Sequence, residues 1–404
     1  MHTETLISEG VFYIGASDRR ISLFENAFPL ENGMSYNGYL FLDEKTAVLD
    51  TVDESCSRLY FANIEHLLNG RPLDYLIVNH MEPDHAACIG ALLLRHPEVT
   101  IVLNAMAKKF LLNYFPSLGN AKFLLVKEGD HLSIGTHNFR FVMAPMVHWP
   151  EVMFTFEATE GILFSADAFG TFGALAGNVF ATDRDFDAAH LSEMRRYYAN
   201  IVGKFGEQVN AVMKKVAALD LKMIAPLHGP IYRSHFDKLI SAYKTWASYE
   251  PEEAEAVMIA YASVYGNTAD AATYLATKLA EKGVDNIAMY DVSKTDCSYL
   301  IAESFRVKTI VLAAPTYNGG VFVKMEDFLH GFVNHKIRNR NIAFIENGSW
   351  ASTAKASMLK ILEGSNLTYL EPSLSFASTV KEQQLAKLDE IADAIVYSLK
   401  PAQE

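Results

Sequence analysis

Beyond residue 255, short apolar runs alternate regularly with longer stretches of helical periodicity. The apolar runs are typical of buried strands, and they cover residues 256–262, 287–292, 309–314 and 342–345. The other stretches have apolar residues at helical spacing and few helix breakers, and they cover 269–282, 298–305 and 381–399. Strands that alternate with helices at this spacing predict a parallel, doubly wound α/β sheet.

The first part of the chain shows a less regular alternation of strands and helices. Strand-like runs cover residues 73–79, 139–145, 161–166 and 221–227, and a helix is predicted for 86–94. A polar, acidic segment interrupted by proline, residues 248–255, separates this part from the regular pattern that follows. We therefore predict two α/β domains, residues 1–250 and 251–404, each long enough to bury a core.

Four potential metal ligands lie within six residues in the run His80-Met81-Glu82-Pro83-Asp84-His85. We expect Pro83 to force the chain out of regular structure where the ligands turn inward. The run resembles the metal-binding motif of the metallo-β-lactamase superfamily, except that Glu82 stands where the zinc hydrolases usually have a histidine. A mixed set of carboxylates and imidazoles suits iron or manganese. The motif therefore favours redox chemistry over hydrolysis.

Three further potential ligands, His148, Asp167 and His228, each follow a predicted strand. Active sites of α/β folds gather at the carboxyl ends of strands, so we expect these side chains to converge with the 80–85 run. Taken singly, each of the three is equally well explained by a structural role. The 80–85 run alone is also compatible with solvated acids and surface histidines. The complete set of seven favours a metal centre.

Three loops of the second domain follow strands at one edge of the predicted sheet. The first loop leads into helix 269–282, and its hydroxyls, its glycine and the helix N-terminus suit a phosphate, although such residues also simply cap helices. It lacks the lysine of a nucleotide-triphosphate loop. The other two loops combine glycines with an aromatic residue, where a flat isoalloxazine ring would fit, although a turn tyrosine and a core tryptophan are alternatives. The loops are Ser263-Val264-Tyr265-Gly266-Asn267-Thr268, Pro315-Thr316-Tyr317-Asn318-Gly319-Gly320 and Asn347-Gly348-Ser349-Trp350-Ala351.

Composition and charge exclude several classes of protein. The net charge of −13 disfavours nucleic acid as a partner, because phosphate binding requires clustered Lys and Arg. No apolar run is long enough to span a membrane, and the start of the chain does not resemble a signal peptide. The cysteines Cys56, Cys88 and Cys297 are scattered and form no disulfide framework or metal-binding pair. A reducing, cytoplasmic compartment is therefore expected.

Over nearly its whole length the chain resembles the flavodiiron protein family, also called A-type flavoproteins. The resemblance rests on the seven ligands and on three further sequences, Tyr36-Asn37-Gly38-Tyr39-Leu40, His148-Trp149-Pro150 and His228-Gly229. It implies a metallo-β-lactamase-like αββα sandwich followed by a flavodoxin-like, doubly wound parallel sheet. It also implies a non-haem diiron centre in which Asp167 bridges the two irons. One iron would be held by His80, Glu82 and His148, and the other by Asp84, His85 and His228.

The same resemblance implies FMN in the second domain, with its phosphate on the 263–268 loop and its ring between the other two loops. The implied activity is reduction of dioxygen to water and/or of nitric oxide to nitrous oxide. Reduced FMN stores two electrons and two ferrous irons store two more, which together match the reduction of dioxygen to water. Trp149, Tyr197 and Tyr198 are candidate pocket residues, although helix packing explains each of them equally well.

The resemblance also implies how the protein assembles and receives electrons. A domain of this size has a radius of gyration near ~18 Å, so flavin and metal in one chain are expected to lie tens of ångströms apart. A head-to-tail homodimer, possibly a dimer of dimers, would bring the flavin of one chain to the irons of the other. The sequence contains no Cys-x-x-Cys pair of the kind that a fused rubredoxin would carry. A separate electron donor is therefore expected, either a rubredoxin or a reduced deazaflavin.

Two other functions remain open from the residues. The first is a zinc-dependent hydrolase of the metallo-β-lactamase type with an accessory flavodoxin domain, against which Glu82 counts. The second is an electron-transfer flavoprotein whose first domain only binds a partner, which would leave seven convergent ligands unexplained.

Overall fold

The structure, a computed structural model, describes residues 1–186 and 188–400. These residues form two compact units, one of residues 1–198 and 207–241 and the other of residues 199–206 and 242 onward. Tyr249 explains why the 199–206 segment belongs to the second unit. Its hydroxyl donates a hydrogen bond to the carbonyl of Gly203 at 2.9 Å and accepts one from the N–H of Gly206 at 3.3 Å. The boundary between residues 250 and 251 stays a prediction.

The first unit contains two large β-sheets. One sheet has seven strands, in the spatial order Thr5–Ser8, Val11–Tyr13, Tyr39–Leu42, Thr46–Leu49, Tyr75–Ile77, Thr100–Leu103 and Lys122–Leu125. The other sheet has five, in the order His131–Ser133, Asn138–Met143, Met153–Glu157, Ile162–Phe164 and Met223–Ala225. Two short ribbons pair Ala16–Asp18 with Met34–Tyr36 and Leu23–Phe24 with Phe28–Pro29. In both sheets the antiparallel strands come first. The segments that carry the 80–85 run, Asp167 and His228 follow strands with a parallel neighbour, whereas His148 follows Asn138–Met143, which is antiparallel to both of its neighbours.

Alternate residues of the two sheets face each other and form the core of the sandwich. Phe41 and Phe139 are fully buried, and their ring centroids lie 4.8 Å apart with nearly perpendicular planes. The α-helices of this part of the chain are Ser57–Leu68, Pro83–Ala86, Ile89–Arg95, Ala105–Tyr114, Ala188–Tyr197, Gly206–Val216 and Phe236–Ala247. The 3-10 helices are Glu54–Cys56, Pro116–Asn120, Asp183–Phe186 and Gly203–Phe205, and a π-helical turn covers Tyr198–Val202. The predicted αββα sandwich is confirmed.

The chain around the 80–85 run differs from its predicted structure. Instead of one helix over 86–94, two short helices cover Pro83–Ala86 and Ile89–Arg95. The expectation that Pro83 ends regular structure was wrong, because Pro83 occupies the first turn of a helix. At that position the missing N–H would have had no helical partner, and the fixed φ of proline suits a helix. Asp84 and His85 therefore project from a helical turn.

The second unit is built on one parallel sheet. Its strands lie in the spatial order Ile287–Asp291, Glu253–Tyr261, Val307–Tyr317, Arg340–Asn347 and Leu367–Tyr369, with Leu374–Phe376 also pairing with Arg340–Asn347. The helices are Asn267–Glu281, Cys297–Arg306, Val323–Asn334, Ala354–Ile361 and Glu382–Leu399. The second strand along the chain lies outside the first, and the third lies on the other side, which is the flavodoxin order. The predicted flavodoxin-like fold is confirmed.

One predicted loop of the second unit is largely a hairpin. The strand expected over 309–314 extends to Tyr317 and pairs with the short strand Gly320–Val321. Asn318 and Gly319 form the turn with φ of 50° and 79°, the left-handed values that an Asn-Gly hairpin turn requires. Within the described residues, no helix combines the length and the apolar composition needed to cross a membrane.

Candidate metal centre and flavin pocket

All seven predicted metal ligands come together in the first unit. They form two groups, and within each group the ligand atoms lie within 4.8 Å of one another. The first group contains His80, Glu82, His148 and Asp167, and the second contains Asp84, His85 and His228. The ligands come from loops that follow the strands Tyr75–Ile77, Asn138–Met143, Ile162–Phe164 and Met223–Ala225. The convergence expected from strand ends is therefore what the structure shows.

Asp167 lies between the two groups and turns one oxygen toward each. Its Oδ2 is 3.1 Å from Nε2 of His148 and 3.5 Å from Nε2 of His80. Its Oδ1 is 3.1 Å from Nε2 of His85 and 3.7 Å from Nε2 of His228. Such an arrangement is that of a carboxylate able to bridge two metal ions.

The distances between ligand atoms fit metal coordination. Glu82 Oε2 lies 3.2 Å from His80 Nε2 and 3.0 Å from His148 Nε2, and Asp84 Oδ2 lies 3.2 Å from His228 Nε2. Two ligands at right angles, each about 2.1 Å from a metal, are separated by about 3 Å. The observed spacings are therefore those of neighbouring ligands around an ion.

Within the described residues, both oxygens of Asp84, Oδ1 of Asp167 and Nδ1 of His85 are buried with no well-oriented hydrogen bond, although histidine nitrogens lie 3.1 to 3.2 Å from two of these oxygens. Nε2 of His85 also faces Nε2 of His228 at 3.1 Å, so two nitrogens of the same kind point at each other. Buried polar and charged atoms are unfavourable unless they are paired or coordinate a metal. The residues present therefore fit a pair of metal cations.

The charges of the cluster point to the same conclusion. Burial opposes ionisation of Glu82, but hydrogen bonds from His148 and His80 bring its pKa down to about 2. Burial would lower the pKa of His148, yet Asp167 and Glu82 raise it to about 9. Protons on the histidines thus balance the carboxylates when no metal is bound. Because metal ligands must be deprotonated, metal binding at this cluster would release protons.

Hydrogen bonds on the far side of two histidine rings orient them toward the cluster. Nδ1 of His80 lies 2.8 Å from Oε1 of Glu151, and Nδ1 of His228 lies 2.7 Å from the carbonyl oxygen of Ser35. Each acceptor requires a proton on Nδ1, which leaves the lone pair of Nε2 facing the ligand group. The rings are therefore held in the tautomer that binds a metal.

Asp50 and Thr51 fix the backbone of the 80–85 run. Asp50 accepts hydrogen bonds from the backbone N–H and the side-chain amide of Asn79, both at 2.7 Å, and Thr51 donates its hydroxyl to the carbonyl of His85 at 2.7 Å. Burial raises the pKa of Asp50 to about 6 against the opposing effect of those bonds from Asn79. Asp50, with φ 53°, and Ala166, with φ 47°, both adopt left-handed backbone conformations, which are typical of functional sites.

The predicted pocket residues occupy different positions around the metal centre. The ring of Trp149 lies edge-on to His80, with centroids 5.3 Å apart. Tyr197 is fully buried, its ring is 5.6 Å from that of His228, and its hydroxyl has no hydrogen-bond partner among the described residues. Tyr198 is also fully buried and begins the π-helical turn. The roles of all three as pocket residues remain predictions.

The structure adds residues that the sequence pattern did not reveal. Phe24, on the Leu23–Phe24 ribbon, places its ring 5.3 Å from His228, and Phe172 lies 5.1 Å from Tyr197. Next to Phe24, Glu25 is exposed as a residue, but burial of its carboxyl group and the nearby charge of Glu82 raise its pKa to about 8. Phe24 and Glu25 lie far from the ligands in sequence, Phe172 follows Asp167 by five residues, and no motif points to any of the three.

Loops of the second unit enclose a separate cavity of about 450 Å³, a volume within the range of small-molecule sites. Twelve of its lining residues were predicted to bind FMN, namely Ser263, Val264, Tyr265, Asn267, Thr268, Pro315, Thr316, Tyr317, Asn347, Gly348, Ser349 and Trp350. Ser378 also lines the cavity and was missed. Gly266, Asn318 and Gly319 do not line it; Gly266 precedes the helix, and the other two form the hairpin turn.

The cavity fits a phosphorylated flavin. The helix Asn267–Glu281 starts at its edge without a side-chain cap, so the N–H groups of the first turn and the helix dipole are available to a phosphate. Gly266 has φ 99°, and a Cβ there would project into empty space, which leaves room for the anion. Trp350 is 79% exposed and Tyr317 45% exposed, so two aromatic faces are available to a ring.

Asn347 and Ser378 join two walls of this cavity. The side-chain amide of Asn347 donates to the carbonyl of Ser378 and accepts from its N–H, both at 3.0 Å, and it donates to Thr268 Oγ1 at 3.4 Å. The hydroxyl of Ser378 donates to Ser349 Oγ at 2.9 Å. A fourth loop thus closes the site that three loops were predicted to form.

Known proteins resemble the chain in both units. A family model described as ODP family beta lactamase matches residues 34–229, and a flavodoxin domain model matches residues 258–390. A nitric oxide reductase from Moorella thermoacetica is 30% identical over 367 residues, which cover 90% of this chain and 89% of the relative. Among solved structures, the rubredoxin oxygen:oxidoreductase of Desulfovibrio gigas superposes with a TM-score of 0.91 at 25% identity, covering 98% of both chains. The flavodiiron protein of Giardia intestinalis has the same fold, with a TM-score of 0.88 at 21% identity over 98% of this chain and 97% of that one.

These matches follow the order of the two units and extend over almost the full length of the chain. The cluster of potential metal ligands in the first unit and the cavity in the second are the kinds of site that such a pair of domains requires. The chain belongs to the flavodiiron protein family and is an oxidoreductase with FMN and a non-haem diiron centre as its cofactors.

Proposed function

We propose that this protein reduces dioxygen to water and/or nitric oxide to nitrous oxide at the diiron centre, with electrons reaching it from an external donor through FMN. The observation that supports this most directly is the position of Asp167, whose two oxygens face two separate groups of ligands. Two adjacent metal ions can hold both atoms of a small diatomic molecule and act as Lewis acids. The names of the Moorella and Desulfovibrio relatives include both gases.

Within this proposal each ligand has a defined task. His80, Glu82 and His148 would hold one iron, Asp84, His85 and His228 would hold the other, and Asp167 would be shared between them. When bound, the iron pair supplies two electrons and the open positions for the gas. Phe24 packs against His228, and Phe172 packs against Phe24 and Tyr197, so apolar surface next to this ligand would help to exclude water. The Tyr197 hydroxyl, buried without a partner among the described residues, can donate a hydrogen bond to a substrate next to His228.

In the second unit, the 263–268 loop would bind the FMN phosphate, and the 315–319 and 347–350 loops would bind the ring. Tyr317 and Trp350 are the aromatic residues that can lie against it. Gly348 is suited to the third loop, because a Cβ there would collide with the carbonyl of Ala351.

The proposed partners follow from the need to deliver electrons. A rubredoxin is the proposed donor, or a reduced deazaflavin, and the proposed location is cytoplasmic. We further propose a head-to-tail homodimer, possibly a dimer of dimers, that brings the FMN of one chain to the irons of the other. Large aromatic side chains at the rim of the flavin cavity support this arrangement, since Tyr265 is 93% exposed and Trp350 79% exposed. Exposed aromatics in a patch are typical of a surface that a partner covers.

The alternative function is a zinc-dependent hydrolase with an accessory flavodoxin domain. The metallo-β-lactamase-like fold of the first unit is compatible with it. The ligand set is not that of such hydrolases, because Glu82 gives the first group two carboxylates and two imidazoles, which favours iron.

Metal and flavin analysis of purified protein separates these functions. The proposal predicts about two irons and one FMN per chain, together with consumption of dioxygen or nitric oxide when a chemically reduced rubredoxin is supplied anaerobically. Zinc in place of iron, with hydrolase activity, would support the alternative. FMN without metal would instead indicate that the protein is an electron-transfer flavoprotein.

A further inference from the structure

Glu151 is a buried carboxylate that contacts one side of the metal cluster without belonging to it. Only 1% of the residue is exposed. Its Oε1 lies 2.8 Å from Nδ1 of His80 and accepts a hydrogen bond from the backbone N–H of Met81 at 2.9 Å. Its other oxygen, Oε2, has no hydrogen-bond partner among the described residues. A buried negative charge with so few partners is unfavourable unless a nearby cation offsets it.

The position of Glu151 is fixed by a second element. The side-chain amide of Asn104 donates to the backbone carbonyl of Glu151 at 2.6 Å. The oxygen of the same amide caps the helix Ala105–Tyr114, accepting from the N–H groups of Met106 at 3.0 Å and Ala107 at 2.9 Å. The cap of this helix thus holds Glu151, and Glu151 in turn holds the ring of His80.

The histidines of the other group have no comparable partner in the described part of the chain. Nδ1 of His228 faces a neutral backbone carbonyl, that of Ser35, and Nδ1 of His85 is buried without a partner. A carboxylate behind an imidazole makes the ring a stronger electron donor than a carbonyl does. The two ligand groups are therefore electronically unequal.

We propose that Glu151 is a positioning residue that makes the two irons inequivalent, by lowering the reduction potential of the iron held by His80, Glu82 and His148. This inference rests on the ligand assignment proposed above. A more electron-rich ligand stabilises the ferric form more than the ferrous form. The iron held by this group would therefore be harder to reduce than the iron held by Asp84, His85 and His228.

The variant Glu151→Gln tests this, because it keeps the shape and the hydrogen-bond acceptor but removes the charge. Glu157→Gln is the matched control. Glu157 is also fully buried in the same unit, lies 3.5 Å from Nδ1 of a histidine, His137, and accepts backbone N–H bonds, but it is not a neighbour of the ligand groups. Both variants lose a buried carboxylate next to a histidine. Only in Glu151→Gln is that histidine, His80, a proposed metal ligand.

The primary measurement is a redox titration of the iron-loaded protein followed by Mössbauer and electron paramagnetic resonance spectroscopy. In wild-type protein the two irons should titrate in separate steps. In Glu151→Gln the lower step should move up toward the other, so that less of the half-reduced form accumulates. Iron affinity of one site should fall roughly 10- to 100-fold. Glu157→Gln should leave both steps and the iron content as in wild type.

A second measurement, NMR of zinc-loaded protein, does not require the variant to survive a redox titration. In zinc-loaded protein, the Nδ1 proton of His80 should give a strongly downfield NMR signal in wild type, which moves upfield in Glu151→Gln. Loss of one metal per chain in the variant would support the same inference through affinity. Unchanged potentials, affinity and His80 signal would overturn it while leaving the proposed function intact. A wild-type protein that binds no iron would instead refute the proposed function.

Discussion

Oδ1 of Asp167 lies 3.1 Å from Nε2 of His85, while the other oxygen of the same carboxylate faces the second group of ligands. Loss of the carboxylate charge at this position should therefore affect both metal sites at once. Asp167→Asn should retain the fold and about one FMN per chain but lose most of its iron and at least roughly 100-fold of its gas-reducing activity. Iron and flavin analysis of the same sample checks this.

A control for this variant is Asp183→Asn, which alters an exposed carboxylate that accepts from Nε2 of His235 at 2.9 Å. It should keep both cofactors. If Asp167→Asn lost FMN together with iron while remaining folded, the assignment of the two cofactors to separate domains would be undermined.

Tyr197 provides a test of the pocket. Its buried hydroxyl lacks a partner among the described residues, so Tyr197→Phe should cost little stability or even stabilise the fold. If the hydroxyl donates a hydrogen bond to the substrate, turnover should fall by about 10-fold or more while iron content is unchanged. Steady-state rates with each gas and the free energy of unfolding measure the two effects. A variant with full activity would show that Tyr197 only packs against His228.

Asn347 provides a test of the flavin cavity. Asn347→Ala removes the hydrogen bonds that connect the strand Arg340–Asn347 to Ser378 and Thr268, so the cavity should lose its shape on that side. We expect FMN affinity to fall by about 10-fold, the effect of roughly 1.4 kcal/mol, with iron content unchanged. Asn366→Ala is the control, because that exposed side chain donates to Asn339 Oδ1 at 3.0 Å and does not line the cavity. Flavin titrations that gave equal affinity for both variants would count against the proposed site.

The lowered pKa of Glu157 predicts how the stability of the protein depends on pH. Burial would raise the pKa of this carboxyl group, but the bonds from His137 and from backbone N–H groups lower it to about 2, below the ordinary glutamate value of 4.5. A carboxyl group whose pKa is depressed by folding stabilises the protein above its unfolded pKa and loses that contribution as the pH falls through the folded value. Glu157→Gln should therefore be less stable than wild type at neutral pH, and the difference should shrink as the pH falls from 4.5 to about 2. Denaturant unfolding at several pH values gives the difference directly; one that stayed constant with pH would contradict the assignment.

The two folds and the convergence of the seven candidate ligands are predictable because they depend on local pattern. Strand ends followed by His or Asp residues, and the dense 80–85 run, indicated the centre before any geometry was known. Asp50 carries the same signal, an acid directly after the strand Thr46–Leu49, and could have been found in the same way. The sequence pattern does not reveal the helical turn at Pro83, because proline breaks a helix in its interior but fits its first turn.

Other parts of the site could not be predicted from the sequence. Glu151 is distinguished from the many exposed glutamates only by its burial and its contact with His80. Phe24 and Ser378 approach their sites through tertiary packing, far from the ligand and flavin motifs in the chain. Contacts that depend on which loops fold over a site leave no periodic trace in the sequence.

The proposed dimer makes its own prediction. Residues 255–404 expressed alone should bind FMN, and residues 1–249 should bind iron, because each segment contains its complete set of proposed ligands. A mixture of the two should reduce dioxygen far more slowly than the whole chain, since electron transfer falls steeply with distance. A strictly monomeric full-length variant that kept the whole turnover rate would contradict electron transfer between subunits.

The most direct test of the central claim is the number of gas molecules that the fully reduced protein consumes without further donor. Reduced FMN and two ferrous irons hold about four electrons per chain, so the account predicts about one dioxygen consumed per chain with no hydrogen peroxide, or about four nitric oxide molecules converted to about two of nitrous oxide. Anaerobic titration with each gas, with peroxide and nitrous oxide measured in the same samples, gives these numbers. Stoichiometric hydrogen peroxide from dioxygen, together with no nitrous oxide from nitric oxide, would mean that the flavin reacts alone, and the diiron account would be wrong.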